Sequence, residues 1–168
     1  SSFCENGFFC YTSSDEAYRD CVREFLLRRH SFEIKNDWIT TVGGVVFAIN
    51  TAIRAFTQKG DKVIIQTPVY YPFSTSILNN GRVIADNPLQ FVDGEYKMNF
   101  GELRKIASAD DVKLMLLCSP HNPVGRVWSK EELKQVGEIC LENNVVLLSD
   151  EIHFDILRKN VEHTVINN

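Results

Sequence analysis

Two short segments constrain the fold of this chain more than anything else in it. Val112–Cys118 (VKLMLLC) and Val145–Ser149 (VVLLS) are almost uniformly apolar and too short to be membrane spans or long helices. A strand solvated on one face alternates apolar and polar residues, whereas a continuous apolar run fits a strand covered on both faces. Between them lie a loop, Ser119–Gly125, and a helix-start signature, Ser129-x-x-Glu132, in which each end residue satisfies an otherwise unpaired amide of the other. The helix that follows carries Leu133, Val136, Cys140 and Leu141 on one side. Strand, helix and strand in that order imply a right-handed crossover between parallel neighbours.

The same alternation runs through the earlier chain. A capping box at Ser13-x-x-Glu16 opens a helix to Arg29, with Ala17, Cys21, Val22, Phe25 and Leu26 at helical spacing. Trp38–Val42 reads as a short strand broken by Gly43-Gly44, and Val45–Phe56 as a buried helix closing near Gly60. Lys62–Gln66 is a strand, Thr67-Pro68 a turn, Phe73–Asn79 a helix and Arg82–Ala85 a strand. A polar excursion through Phe91-Val92-Asp93-Gly94 precedes a helix over Asn99–Ser108. The expected fold class is α/β, a three-layer α/β/α sandwich around a mainly parallel sheet.

Composition narrows the function. The 18 basic and 22 acidic residues are interspersed and leave a net charge of −4, without the cationic surplus that nucleic-acid backbones require. No apolar run approaches the roughly 18 residues of a membrane span, and no signal-peptide pattern opens the chain. The cysteines Cys4, Cys10, Cys21, Cys118 and Cys140 are odd in number and include no CxxC pair, which fits free thiols in a cytoplasmic protein and no metal site.

In open α/β sheets ligands collect beyond the carboxyl ends of the strands. Four groups fall there: Gly43-Gly44, Thr67–Tyr71, Ser119–Gly125 and Asp150–His153. A glycine pair opening a helix is often only a turn, yet it lets backbone amides approach an anion. Asp150 follows directly on an apolar strand and should be half-buried, where a carboxylate needs a partner such as a metal, an amine or a cationic heterocycle. His153 is near enough to share its site. Asn122-Pro123 is turn chemistry and a candidate cis bond, and Tyr70 and Tyr71 are either packing residues or a flat surface for a ring. A nicotinamide-binding reading fails because no GxGxxG follows the first strand.

The order of these groups resembles the fold-type I pyridoxal-phosphate enzymes, within aminotransferase class I/II the cystathionine β-lyase-like (MalY/PatB) subgroup. The segments that carry the resemblance are KVIIQTPVYYPF (62–73), LCSPHNPVGRVWSKEEL (117–133) and LSDEIHFD (148–155). It implies pyridoxal 5'-phosphate as cofactor, with Asp150 on the pyridine nitrogen, Asn122 on the phenolic oxygen and His153 near that oxygen, where relatives often have tyrosine. It also implies Tyr70 stacked on the ring, the backbone at Gly44, Val45 and Val46 around the phosphate, and Tyr11 reaching the phosphate of the neighbouring subunit in a homodimer. The chain departs from the family pattern at Cys10-Tyr11-Thr12 and at Val42-Gly43-Gly44-Val45-Val46, where relatives read Gly-Tyr-Thr and Thr-Pro-Gly-Val-Val.

The family's Schiff-base lysine stands in a Ser-Lys-Thr-Phe-Asn-like segment, and none of the nine lysines here has that context. The resemblance therefore makes residues 1–168 part of a large cofactor-binding domain, without the N-terminal segment, the lysine region and the small C-terminal domain, and catalytically inert on their own. For the intact protein it implies β-elimination from cystathionine or cysteine S-conjugates, a small amino-acid substrate, giving pyruvate, ammonia and a thiol. Transamination on the same site is the alternative, and a regulatory protein-binding role on the same fold is a further one.

Overall fold

The computed structural model describes Glu5 and residues 14–166. Within residues 1–41, one compact unit, helix α1 spans Glu16–His30. Its N-cap is Asp15, whose carboxylate accepts from the Tyr18 amide; the expected cap Ser13 lies outside the described residues. Arg28, Arg29 and His30 occupy the last turn, where the helix dipole favours cations. The strand expected over Trp38–Val42 does not form. Asn36–Trp38 is a single 3-10 turn with Trp38 exposed, and the residues after it pair with no strand among the described residues.

The second unit begins at Val42 and holds a four-stranded parallel sheet in the order β2-β1-β5-β6. Its strands are β1 (Lys62–Ile65), β2 (Val83–Asp86), β5 (Val112–Cys118) and β6 (Val146–Asp150). Helices α2 (Val45–Phe56), α3 (Pro72–Asn79), α4 (Phe100–Ala107) and α5 (Lys130–Glu142) alternate with them. The polar excursion is a small antiparallel hairpin, β3 (Gln90–Val92) and β4 (Glu95–Lys97), turned at Asp93 and Gly94, both at positive φ.

Side-chain alternation along the two central strands divides the core into layers. Val63, Ile65, Leu114, Leu116 and Cys118 face Ile49 and Ile53 of α2 and Phe73 and Ile77 of α3. Ile64, Met115 and Leu117 face the other way, onto Leu103 and Ala107 of α4 and Leu133, Val136, Ile139 and Cys140 of α5. Both faces of β1 and β5 are covered, the reason their sequences lack polar alternation. Leu141, expected on the buried side of α5, is 81% exposed, and Ile139 takes the core position instead. The capping box of Ser129 and Glu132 forms as expected.

The order of the strands creates the crevice. From β1 the chain moves outward to β2, then returns past β1 to β5 and continues to β6. Loops leaving the carboxyl ends of β1 and β5 therefore diverge, which is the topological switch point where such sheets bind ligands.

Candidate active site

A cavity of about 350 Å³ opens at this switch point, lined by Val45, Val46, Tyr70, Cys118, Asn122, Asp150, Ile152 and His153. Six of the eight residues singled out from the sequence thus meet in one place. Gly44 is the N-cap of α2, directly before Val45. Tyr11 lies outside the described residues.

Each wall has a local cause. Gly44 sits at φ 150°, a conformation that L side chains rarely adopt, and a Cβ built there would meet nothing within 4 Å. The helix it opens has no side-chain cap and no acidic residue in its first turn. The first bond into the helix is Ala48 N–H to Gly44 O, so the amides of Val45, Val46 and Phe47 are left to whatever occupies the space in front. Such an end is a ready anion site.

Opposite in charge is Asp150, the last residue of β6, in register with Cys118 of β5. It is only 9% exposed, more buried than the half-burial expected from sequence. Its Oδ1 accepts from the Ile152 amide at 3.2 Å, and no lysine or arginine among the described residues pairs with it. Burial pushes its carboxyl pKa above the ordinary range, against smaller lowering contributions from the Ile152 amide and the nearby His153. A desolvated carboxylate without a full cationic partner is an acceptor to which a protonated ring nitrogen would donate.

Tyr70 is half-buried in the loop after β1, while Tyr71 is 76% exposed and does not line the cavity. The Tyr70 ring is held edge-on by Phe73, with centroids 6.3 Å apart. The loop is pinned at its base by Thr67, whose amide and hydroxyl both donate to Asp86, at 3.2 and 2.7 Å. Asn122 stands in the loop after β5, and its amide donates to Cys118 Sγ at 3.3 Å. Trp128 closes that loop by donating its indole N–H to Cys118 O at 2.9 Å. The Thr67–Pro68, Ser119–Pro120 and Asn122–Pro123 peptides are all cis.

Two residues escaped sequence reasoning. Cys118 forms part of the cavity floor, and burial pushes its thiol up to about 11, so it is a neutral wall rather than a nucleophile. His121 is 1% exposed beside the site. The available signal was position: Cys118 ends the apolar β5 run, and His121 directly precedes Asn122. Cys21, Cys118 and Cys140 are free thiols. Among the described residues no helix is long and apolar enough to cross a membrane.

This fold and crevice are shared with known proteins. The chain belongs to the aminotransferase class I and II family, which it matches over residues 5–166. It is 43% identical over 160 residues to cystathionine beta-lyase PatB of Bacillus subtilis, a match covering 95% of this chain and 41% of that protein. The crystal structure of cystalysin from Treponema denticola, which contains a pyridoxal 5'-phosphate cofactor, aligns with TM-score 0.95 and 43% identity over 99% of this chain and 42% of that one. The pyridoxal-phosphate-bound C-S lyase from Staphylococcus hominis aligns with TM-score 0.93 and 32% identity over 98% of this chain and 43% of that one. The chain thus spans about two-fifths of the length of the relatives it matches.

Proposed function

We propose that this chain is part of the large domain of a pyridoxal 5'-phosphate-dependent carbon–sulfur lyase. The intact protein takes cystathionine or a cysteine S-conjugate and releases a thiol, pyruvate and ammonia, one water being consumed. The observation that carries this reading is a single cavity bounded by an uncapped helix N-terminus and by a buried carboxylate without a cation. Those two features suit a ligand that is anionic at one end and a protonated heterocycle at the other. The names of the relatives, lyases among them, support the same assignment.

When bound, the cofactor supplies an electron sink for the pair of electrons left on the substrate's α-carbon after proton removal. The chain's own residues hold and tune it. The free amides of Val45 and Val46, which Gly44 allows to open towards the cavity, bind the phosphate. Asp150 keeps a proton on the ring nitrogen, Asn122 donates to the phenolic oxygen with His153 nearby, and Tyr70 covers one ring face. Tyr11 reaches the phosphate of a second subunit, which makes the working protein a homodimer, and its compartment is the cytoplasm.

None of the chain's nine lysines lines the cavity, and on this reading the lysine that anchors the cofactor and moves the α-proton is none of them. Full-length protein incubated with cystathionine and no keto-acid acceptor should release pyruvate steadily. Turnover that depends strictly on an acceptor would replace the lyase reading with transamination. Borohydride reduction and peptide mapping of the same protein should label one lysine outside these nine; a stoichiometric adduct on any of the nine would overturn the site assignment.

A further inference from the structure

The walls of the crevice belong to strands that stop supporting each other before the cavity begins. β1 and β5 pair through Val63↔Leu114 and Ile64↔Met115, and no later pair joins them. β5 instead continues its ladder with β6 to Cys118↔Asp150. The loop bearing Tyr70 is fastened on its far side, towards β2, by Thr67 to Asp86 and by Leu89 N–H to Thr67 O at 2.7 Å. Neither tie fixes how far Tyr70 stands from Asn122.

Among the described residues, one side chain spans that gap by a hydrogen bond. His121 Nε2 lies 3.0 Å from Pro68 O, a carbonyl that can only accept, so Nε2 carries the hydrogen and donates. No other described residue donates a hydrogen bond to Pro68 O. The ring is fixed by its surroundings: Trp128 meets it edge-on at 5.5 Å, and His121 pairs through its own backbone with Arg126, its N–H donating to Arg126 O at 2.7 Å. Arg126 in turn is held by Glu132 at 2.6 and 2.8 Å. Burial lowers the His121 pKa, which favours the neutral imidazole. Pro68 stands two residues before Tyr70, and His121 one before Asn122.

We propose that His121 is a positioning residue which, by donating to the Pro68 carbonyl across the switch point, sets the separation between the Tyr70 ring and the Asn122 side chain and so the fit of the cofactor between them. This rests on the cofactor reading above. A buried ring could equally be inert packing, and the two roles differ in what a substitute must keep. The amide nitrogen of glutamine reaches about as far as Nε2, whereas that of asparagine stops near Nδ1 and cannot meet Pro68 O.

The test uses full-length holoenzyme with His121→Gln and His121→Asn, loaded with pyridoxal 5'-phosphate. Cofactor release rate, the visible circular dichroism of the bound cofactor and the Tm of the cofactor-free protein are measured. We expect His121→Asn to release cofactor at least about fivefold faster, the scale of one hydrogen bond, with an altered dichroic band. His121→Gln should stay within about twofold of wild type on both, and the cofactor-free Tm should be lower in His121→Asn than in His121→Gln, because the bond to Pro68 O is present without the cofactor. Equal impairment of both variants, failure of both to fold, or wild-type release and dichroism in His121→Asn each overturns the proposal. A wild-type protein that takes up no cofactor would instead refute the reading beneath it.

Discussion

Removal of the Asp150 carboxylate tests the site at its most constrained point. The side chain is 9% exposed, receives one backbone hydrogen bond and has no lysine or arginine partner among the described residues. If its role is to hold a proton on a ring nitrogen, Asp150→Ala in the full-length enzyme loses a charge-assisted hydrogen bond. Such bonds are worth about 1.5–3 kcal/mol. At about 1.4 kcal/mol per decade, that loss weakens cofactor binding roughly 10- to 150-fold. The effect on turnover is larger, because losing a preorganised partner for charge that develops in the transition state costs about 10²–10³-fold. The assay is pyruvate release from cystathionine, with cofactor occupancy read by absorbance and restored by excess cofactor. Phosphate and covalent contacts remain, so occupancy should recover while turnover does not. Retention of a tenth or more of wild-type turnover at full occupancy would refute the assignment of Asp150.

Three further outcomes follow from the same geometry. In the cofactor-free protein the raised pKa of Asp150 means the folded state binds a proton more tightly than the unfolded one, so ionisation destabilises the fold above the ordinary carboxylate range. Asp150→Asn should therefore raise the cofactor-free Tm at pH 7, and the gain should fade as pH falls towards about 4; a lower Tm at pH 7 contradicts this. Tyr70→Ala should weaken cofactor binding by more than Tyr71→Ala, by about the 0.5–1.5 kcal/mol of an aromatic stack, and equal dissociation constants would remove Tyr70 from that role. Gly44→Ala should cost about 1–3 kcal/mol in urea unfolding because of its φ of 150°, whereas Gly43→Ala, which has no such φ and open space around its Cβ, should be near neutral.

How much of this could be read from the sequence depended on whether burial or pairing decided the element. β5 was legible to the residue, because burial on both faces leaves an unmistakable apolar run. Helix α2 has the expected bounds but is not the buried helix expected, since only Ile49 and Ile53 are buried while Phe47 and Phe56 are exposed. β6 begins one residue later than the apolar pattern suggests and takes in Asp150, a polar residue that composition alone would leave in the loop. Trp38–Val42 has strand-like residues but pairs with no strand among the described residues, and β propensity is mostly a measure of what a strand packs against. The hairpin at Asp93-Gly94 was missed although an Asp-Gly pair is a strong turn signal, because its strands are three residues each and largely exposed. Leu141 was misplaced by one helical step: the core stripe of α5 runs through Ile139 and Cys140, and the next residue turns to solvent. The cavity-lining groups were legible because a parallel sheet brings its carboxyl ends together. Cys118 and His121 were not, because their parts depend on strand register and on a bond across a gap.

The ligand-free site carries two costs of opposite electrical sign. A helix start with three unpaired amides and no acidic cap concentrates positive potential, and a desolvated carboxylate concentrates negative. Either could be removed within the chain by an ordinary substitution, an acidic residue in the first helical turn or an asparagine at position 150. They do not cancel each other: the carboxylate accepts from Ile152, and a water-accessible cavity stands beside both. A single dipolar ligand relieves both at once, which couples affinity to stability: whatever binds here raises the Tm by mass action in proportion to how well it meets both ends. A phosphate monoester without a ring nitrogen should recover only the part owed to the helix. Pyridoxal 5'-phosphate should recover both parts in wild type and only the helix part in Asp150→Asn.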